Sequence, residues 1–331
     1  MSIAAAKAYP LVSIVIPVYN GSNYLAQAID SALAQTFPHC EVLVINDGSN
    51  DRGQTERIAL GYGECVRYLT KPNGGVASAL NLGLAEMRGS LFSWLSHDDL
   101  YEARKIEAQL SVIQALSRDD VIVYSDYSIF ADDGRRSDVR LQETDPLGFR
   151  YRLARLSNIN GCTLLIPAKV IREAGGFDDS LRTTQDYDLW FRLARAHPFV
   201  HVPKVLVASR FHTQQGIFTQ SALAQRECQS LHATFARELL DEEMPVSPHK
   251  GLGRLYIELA RSFWARGFYE AAEIADHRAA AHGANALSRR WARWAGFGYQ
   301  RIGGWLRRRL NPGIRTRLRR CFLLLSKESS H

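Results

Sequence analysis

The sequence of 331 residues has few cysteines and few long apolar runs, and each scarcity excludes a class of protein. Its five cysteines are scattered and form no CxxC pair, so neither a disulfide framework nor a zinc site is expected. No apolar run approaches the roughly 18 residues that a membrane-spanning helix needs. Hydrophobic residues (46%) and charged residues (23%) stand at ordinary globular values, which excludes wholesale disorder.

Acidic residues are missing from one long segment near the C-terminus. Residues 288–327 contain eleven arginines, one lysine and no Asp or Glu, which amounts to a charge of +12. Because the whole chain carries +7, the other residues together carry −5. The charge pattern predicts a mildly acidic body with a strongly basic tail, and the two parts need separate explanations.

Apolar, β-branched segments alternate with segments of helical periodicity in the first hundred residues. Strand patterns cover residues 11–18, 41–45, 66–69 and 91–95, and each of them ends in polar residues. This alternation predicts an α/β fold with a mainly parallel sheet flanked by helices. Ligands bind beyond the carboxyl ends of the strands in such sheets, so the candidate site lies at those polar ends.

The character of the sequence changes after about residue 215, where strand patterns disappear. Residues 221–240 and 252–281 are rich in Ala, Leu, Glu and Arg with helical spacing. We therefore expect an α/β domain over residues 1–215 and a helical C-terminal domain over residues 216–331.

Four polar constellations follow the predicted strands or lead a helix. They are Pro17-Val18-Tyr19-Asn20, Asn46-Asp47-Gly48-Ser49, Ser96-His97-Asp98-Asp99 and Thr184-Gln185-Asp186-Tyr187-Asp188. In their order and spacing they resemble the inverting family 2 glycosyltransferases with the GT-A fold, which transfer a sugar from a nucleoside diphosphate. The resemblance covers about residues 11–215 and implies the GT-A fold for that part of the chain.

The resemblance implies a nucleotide-binding role for the first two constellations. Asp47 matches the carboxylate that accepts a hydrogen bond from the imide N–H of uracil, and thymine would satisfy it equally. Tyr19 matches the residue whose ring lies against the base, and Pro17 belongs to the same wall. Alternatively, Asp47 begins a turn into Gly48, and Tyr19 is a core aromatic.

A segment between the second and third constellations resembles the part of the family that precedes its next helix. Asn73, Gly74, Gly75 and Asn81 are candidate donor contacts, since glycines let the backbone approach a ligand and a helix N-terminus favours phosphate. Many relatives carry a basic residue just before the asparagine, whereas this sequence has Leu80. Gly74 and Gly75 are also compatible with a plain turn.

Adjacent carboxylates at a strand end are hard oxygen ligands suited to Mn²⁺ or Mg²⁺. The resemblance implies that Asp99 is the direct metal ligand and that Asp98 contacts the ribose or the donor sugar. His212 falls where relatives carry a histidine that approaches the metal or the diphosphate. A turn or helix cap at the two aspartates, and a structural histidine, are the alternatives.

Asp186 is the candidate general base, because inversion needs a carboxylate that takes the proton of the attacking hydroxyl. The resemblance supports it, since the family's base stands in a Glu/Gln-Asp pair at the start of an aromatic-rich helix. Asp188 is the weaker candidate, and helix capping is the alternative for Asp186. Residues 160–163 are a candidate lining for the donor sugar.

Tryptophans and leucines recur at steps of three and four residues in the tail over 288–327, with arginines between them. This composition is typical of an amphipathic helix on an anionic membrane surface. It predicts a peripheral protein on the cytoplasmic face, acting on a lipid-linked or cell-surface glycan. Alternatively, the tryptophans pack on the catalytic domain, whereas no motif indicates nucleic acid.

Two other functions stay open. A sugar nucleotidyltransferase would also bind a nucleotide and a metal, but it should carry a basic loop after the first strand, and residues 19–23 contain no cation. A non-catalytic scaffold that binds a nucleotide sugar at the membrane would share the donor site without the base.

Overall fold

The computed structural model describes residues 9–142, 145–212 and 221–309, with side chains given for 222–298 of the last range. The chain divides into two compact units, Met1–Leu231 and His232–His331. The predicted domain boundary after residue 215 lies outside the described residues, and so does the part of the basic tail from residue 310 onward.

Strands and helices alternate through the first unit, as the sequence predicts. The strands are β1 (Val12–Val18), β2 (Cys40–Asn46), β3 (Arg67–Thr70), β4 (Leu91–Trp94), β5 (Leu100–Tyr101), β6 (Ile122–Phe130), β7 (Arg136–Val139), β8 (Ile166–Pro167) and β9 (Phe199–Arg210). The helices are α1 (Leu25–Leu33), α2 (Gln54–Leu60), α3 (Val76–Glu86), α4 (Lys105–Leu116), α5 (Phe149–Leu156), α6 (Ala168–Glu173), α7 (Gln185–Leu193) and α8 (Ser221–Glu238). Because α8 contains Leu231 and His232, it runs from the first unit into the second.

The first sheet has the strand order β3-β2-β1-β4-β8, with β1 to β4 parallel and β8 antiparallel at the edge. All seven residues of β1 are buried, which explains why its sequence is apolar on both faces. The register pairs Val18 with Asn46 and Asn46 with Thr70. The polar residues that follow these strands therefore emerge side by side, and the predicted mainly parallel sheet is confirmed.

A second sheet, with the order β5-β9-β6-β7, is built from segments that are far apart in the sequence. Its central strands β6 and β9 are parallel, and the short strand β5 pairs antiparallel with β9. In that pairing Leu100 lies opposite Ala208. The pair Asp98-Asp99 just before β5 is thereby brought to the end of β9.

A lysine is buried in the core beneath these strand ends. Lys105 Nζ donates to Ser93 Oγ at 3.0 Å, to Gln109 Oε1 at 2.8 Å and to the Leu164 carbonyl at 3.3 Å. None of these three acceptors is a carboxylate, so the charge has no opposite partner among them. Burial accordingly lowers the pKa of Lys105 to about 7.

The second unit is helical, which confirms the predicted helical C-terminal region. It contains α9 (Leu252–Arg266), α10 (Tyr269–Ala281) and α11 (Ala286–Arg309). Gly267 ends α9 at φ +81°, a left-handed conformation that favours glycine and turns the chain into α10. The buried side of α10 consists of small side chains, namely Ala271, Ala272, Ala275 and Ala279.

One face of α11 packs on α9, and another is exposed. Gly296 approaches Trp264 so closely that an added Cβ would lie 2.4 Å from the Trp264 Cβ. Leu287, Trp291 and Trp294, which are spaced at four and three residues, are 79%, 57% and 73% exposed. In the described part of the chain, no helix has both the length and the apolar character needed to cross a membrane.

The free energy of unfolding of the wild type is expected to rise with pH above about pH 7, and Lys105→Met is expected to remove this rise. A lysine in the unfolded chain titrates near pH 10.4, roughly three units above the pKa of buried Lys105. Above about pH 7 the unfolded chain therefore binds a proton that the folded protein lacks, and the free energy of unfolding rises by up to about 1.4 kcal/mol per pH unit.

Urea unfolding at about pH 7 and about pH 8.5 measures this slope in the wild type and the variant. Exposed Lys204→Met is the matched control and should keep the wild-type slope. An unchanged slope in Lys105→Met would show that Lys105 stays charged in the core.

Candidate active site

The loops that follow β1 and β2 are tied together by reciprocal hydrogen bonds. The Asn20 N–H donates to Ser49 Oγ at 2.9 Å. Asn20 Nδ2 donates to Asn50 Oδ1, and the Asn50 N–H donates to Asn20 Oδ1, both at 2.8 Å. Asn20 adopts the left-handed conformation at φ +51°, which turns the chain away from β1. Pro17 is buried inside β1, whereas Tyr19 just beyond it is 44% exposed. The ring of Tyr19 is therefore accessible to a ligand, whereas Pro17 is part of the buried strand β1.

The carboxylate of Asp47 is surrounded by donors from the segment that precedes α3. Its Oδ1 accepts from Lys71 Nζ and from the Gly74 N–H, each at 2.9 Å, and its Oδ2 accepts from the Gly75 N–H at 2.7 Å. The side chain of Asn73 donates to the Asp47 carbonyl at 3.0 Å. A carboxylate has about four acceptor positions, so one position on Oδ2 is left.

This arrangement changes the role predicted for the glycines. Their N–H groups were expected to bind a phosphate at the start of α3, but they bind the carboxylate of Asp47 instead. Gly75 has φ +90°, where a side chain would be strained, and Gly48 has φ +71°. Asn73, Gly74 and Gly75 thus form a cradle that holds Asp47 rather than a free phosphate loop.

Asn81 has a structural role that the resemblance did not predict. Its Nδ2 donates to the Phe177 carbonyl and to Asp179 Oδ1, both at 2.8 Å, and its Oδ1 accepts the Phe177 N–H at 2.9 Å. Both N–H groups of the amide are used, so Asn81 shapes the Gly176–Asp179 turn instead of contacting a donor.

The two adjacent aspartates lie in different environments. Asp99 is 4% exposed, and its Oδ1 accepts the Arg210 N–H at 2.9 Å. Burial, and then the charge of Asp98, raise the pKa of Asp99 well above its ordinary range. Asp98 Oδ2 lies 2.9 Å from His212 Nε2. The geometry favours Asp98, not Asp99, as the carboxylate that faces a ligand beside His212.

Asp98 and His212 are hydrogen-bonded to each other, with Asp98 Oδ2 2.9 Å from His212 Nε2. A carboxylate oxygen and an imidazole nitrogen are both ligands of divalent ions, and an ion bound here would take the place of this hydrogen bond. Within the residues that the structure describes, no group of three or more His, Cys, Asp or Glu side chains could hold a metal. A metal here would therefore need further ligands from the substrate and from water.

Arg210, which the sequence reasoning did not single out, fixes the end of β9 behind this pair. Its guanidinium donates to Asp132, to Gln27 and to the Asp98 carbonyl, and it lies 4.2 Å from the ring centroid of Tyr24. Because so many groups hold it, Arg210 sets the position of His212 two residues later. The only available signal was its place beside the candidate histidine.

The candidate base lies in the first turn of α7, one residue after Gln185. Asp186 Oδ1 accepts the Tyr187 N–H at 2.9 Å. Burial raises the pKa of Asp186 to about 6, and the hydrogen bond from Tyr187 opposes part of that shift. Asp188 forms an ion pair with Arg192 at 2.8 Å, which commits its carboxylate to the structure. Asp186 is thus the carboxylate of this helix start that can exchange a proton near neutral pH.

Residues 160–163 connect the third constellation to the fourth. Gly161–Thr163 form a 3₁₀ turn, in which Cys162 Sγ accepts the Ser96 N–H at 3.2 Å. The hydroxyl of Tyr187, next to Asp186, donates to the Ile159 carbonyl at 2.8 Å. The segment therefore lies between the aspartate pair and the start of α7, where a lining for a sugar was predicted.

A glutamate from α8 holds the loop that leads to Asp186. The carboxylate of Glu227 accepts the N–H groups of Arg182 at 2.9 Å and Thr183 at 2.8 Å, and the hydroxyls of Thr183 at 2.6 Å and Thr184 at 3.3 Å. Burial alone would raise the pKa of Glu227, but these hydrogen bonds outweigh burial and lower it. No local sequence pattern indicated Glu227, because it lies 41 residues after Asp186 in the chain.

Contacts join the first two constellations directly and connect the other two through residues next to them. The β1 loop bonds to the β2 loop, and the ring of His97 lies 2.5 Å from where a Cβ on Gly21 would be. The Asp47 cradle touches the loop before α7, since a Cβ on Gly75 would lie 2.2 Å from Arg182 Nη1. These contacts link the four stretches to one another within the first unit.

Comparisons with known proteins agree with this architecture. The profile of the family described as "Glycosyl transferase family 2" matches residues 13–173. An uncharacterized glycosyltransferase of Rickettsia prowazekii is 42% identical over 282 residues, which are 81% of this chain and 86% of that protein. One from Rickettsia bellii is 46% identical over 259 residues, or 77% of this chain. The chain spans 37% of the length of that second relative.

Among solved structures, a crystal structure of S. aureus TarS 1-349 in complex with UDP-GlcNAc has a TM-score of 0.59 and 17% sequence identity to this chain. The match covers 88% of this chain and 92% of TarS 1-349. At 17% identity, this match shows that the two proteins share a fold and no more than that.

Glu227→Ala is expected to loosen the loop before α7. The amides of Arg182 and Thr183 lose their acceptor, so their hydrogen exchange should accelerate, and the free energy of unfolding should fall by about 1 kcal/mol. Amide exchange read by mass spectrometry or NMR measures the effect, with the exposed Gln225→Ala on the same helix as the control. Unchanged exchange at residues 182–184 would contradict the anchoring role of Glu227.

Proposed function

Because the chain belongs to glycosyltransferase family 2, we propose that it transfers a sugar with inversion from a nucleoside diphosphate to a hydroxyl of a lipid-linked or cell-surface glycan. The observation that carries the proposal is the position of Asp186. A carboxylate with a pKa of about 6 lies in the first turn of α7, and the loop before that helix is in contact with the Asp47 cradle. Both observations support a proton acceptor beside a nucleotide-binding edge.

The donor side uses the loops after β1 and β2. Asp47 is held rigidly by three donors and keeps one acceptor position, which suits the imide N–H of uracil or thymine. The exposed ring of Tyr19 offers a face for stacking on the base. TarS was crystallised with UDP-GlcNAc, which supports a UDP-sugar as donor, with a dTDP-sugar as the alternative.

Asp98 and His212 would hold a Mn²⁺ or Mg²⁺ ion. Asp98 Oδ2 and His212 Nε2 lie 2.9 Å apart. We assign the metal to Asp98 and not to Asp99, because Asp99 is buried and accepts the Arg210 N–H. Such an ion supplies positive charge at the oxygens of the leaving diphosphate.

Asp186 acts on the acceptor. As the acceptor oxygen forms its bond to the anomeric carbon, its proton passes to the Asp186 carboxylate, while the bond between that carbon and the phosphate oxygen breaks. The nucleoside diphosphate leaves with the electron pair of that bond. Attack from the face opposite the leaving group inverts the configuration. Arg192 Nη2 donates to the Gly176 carbonyl at 2.8 Å, so the turn that Asn81 shapes packs on α7, and we assign this turn to the acceptor side.

Asp186→Asn is expected to reduce turnover by roughly 10²- to 10⁴-fold, because asparagine cannot take the proton, while donor binding persists. Release of nucleoside diphosphate measures turnover, and calorimetry measures donor binding. Asp188→Asn is the matched control, since Asp188 is paired with Arg192. Turnover in Asp186→Asn near the wild-type level would exclude Asp186 as the base.

The pH profile gives a second readout of the same assignment. A base must be ionised, and burial raises the pKa of Asp186 to about 6, so kcat/KM should fall tenfold per unit as the pH drops below about 6. This acidic limb should disappear from the residual rate of Asp186→Asn and persist in Asp188→Asn.

Asp98→Asn and His212→Ala are expected to abolish the metal dependence of donor binding. The affinity of the wild type for UDP or dTDP should rise when Mn²⁺ is added and fall with a chelator, whereas both variants should bind equally weakly in the two conditions. The exposed His39→Ala is the control. A variant that retains the full gain with Mn²⁺ would show that the ion is held elsewhere.

The basic tail supplies the membrane part of the proposal. The exposed stripe of Leu287, Trp291 and Trp294 lies on a helix whose other face packs on α9, and exposed Arg290 stands beside it. Tryptophan beside arginine favours the interface of an anionic bilayer. We infer that α11 rests on the cytoplasmic surface of a membrane, which would bring the enzyme to a lipid-linked acceptor.

Replacing Trp291 and Trp294 together by serine is expected to lower binding to anionic vesicles by about tenfold or more, because the inserted rings are lost. Sedimentation with vesicles that contain anionic lipid, and with neutral vesicles, measures the partition. The control is Leu60→Ser, a similarly exposed apolar residue in α2. Equal binding by the double variant and the wild type would argue against the membrane role of α11.

A further inference from the structure

The guanidinium of Arg182 lies against the backbone of Gly75. An added Cβ on Gly75 would lie 2.2 Å from Arg182 Nη1 and 3.3 Å from Cζ, so no other residue fits there without moving the arginine. Gly75 also has φ +90°, which independently favours glycine. Gly75 in turn donates its N–H to Asp47. The side chain of Arg182 therefore reaches from the loop before the base to the nucleotide-binding cradle.

Two other cations near this edge are already neutralised. Lys71 is paired with Asp47 at 2.9 Å, and Arg210 is paired with Asp132. Arg182 is exposed, and within the described ranges its guanidinium forms no ion pair and no hydrogen bond. Arg182 is thus the cation of these three that a ligand can pair with.

The backbone beneath Arg182 is fixed. Glu227 accepts the N–H groups of Arg182 and Thr183, at 2.9 and 2.8 Å, and thereby sets the direction in which the side chain leaves the loop. Part of the entropy lost on binding is therefore already lost in the free protein, which strengthens any contact that the guanidinium makes.

We propose that Arg182 binds the diphosphate of the donor, and this assignment rests on the proposed glycosyl transfer. A guanidinium presents paired N–H groups that match phosphate oxygens. A nucleoside diphosphate that has lost its sugar carries about three negative charges, of which a divalent ion balances two. Arg182 supplies the third positive charge, and it does so from the same loop that presents Asp186.

The charge on the diphosphate grows as the sugar leaves, so the contact strengthens along the reaction. Loss of Arg182 should therefore lower kcat as well as the affinity for the donor. A residue that only supported the loop would not distinguish a nucleoside from its diphosphate. That difference is the basis of the test.

The experiment compares the binding of UDP, UMP and uridine by calorimetry, in a chelator so that a metal does not mask the arginine. Arg182→Ala should lower the affinity for UDP by about tenfold or more and the affinity for UMP by less, and it should leave the affinity for uridine unchanged. The UDP affinity of Arg182→Lys should lie between those of the wild type and Arg182→Ala. Arg118→Ala, which removes an exposed arginine paired with Asp120, is the control and should match the wild type. dTDP, dTMP and thymidine replace the uridine series if the wild type prefers them.

Two outcomes overturn the inference. Equal UDP affinity in Arg182→Ala and the wild type would show that the guanidinium does not touch the diphosphate. A loss that is the same for uridine as for UDP would show that Arg182 only supports the loop. A wild type that binds neither UDP nor dTDP, with Mn²⁺ or without, would instead refute the proposed function. Equal melting temperatures verify that the variants are folded.

Discussion

The site depends on the carboxylate of Asp47, which joins the end of β2 to the start of α3. Two backbone N–H groups and the ammonium of Lys71 bind one side chain that is 4% exposed. Such charge-assisted hydrogen bonds in a buried setting are strong, and each partner would be costly to leave unpaired. The carboxylate takes the place at the helix N-terminus that an anion would otherwise occupy. Consequently the glycines face inward, and the cationic charge for a ligand has to come from another segment.

The pairing of β5 with β9 brings the pair Asp98-Asp99 next to His212. The two residues of β5 pair with β9, and Arg210 at the end of β9 donates its N–H to Asp99 and its side chain to the Asp98 carbonyl. These contacts turn Asp99 into the core and leave Asp98 beside His212. One carboxylate is thereby used to hold the strand ends together, and its neighbour is left for a ligand.

The parts of this structure that local patterns encode could be predicted from the sequence. Strands β1 to β4 have apolar, β-branched sequences that end in polar residues, and their parallel arrangement follows from the helices between them. The start of α7 at Gln185-Asp186 likewise follows from its residues and from the family resemblance.

What could not be predicted depends on pairing between distant segments. Which of Asp98 and Asp99 faces inward is decided by the pairing of β5 with β9, and neighbouring identical residues carry no local signal for it. The contact of Arg182 with Gly75 and the anchoring by Glu227 join segments that are 43 or more residues apart. Asn81 was assigned to the donor because its type and position suit a ligand contact, yet the same amide satisfies the backbone of a turn.

Helix α8 has an implication for how this chain can be divided. Its first part carries Glu227, and its last part belongs to the compact unit that begins at His232. A shortened protein that stops at the family match, or at the end of β9, would omit the acceptor for four hydrogen bonds of the loop before Asp186. A fragment that keeps this loop anchored must therefore extend into α8 at least as far as Glu227.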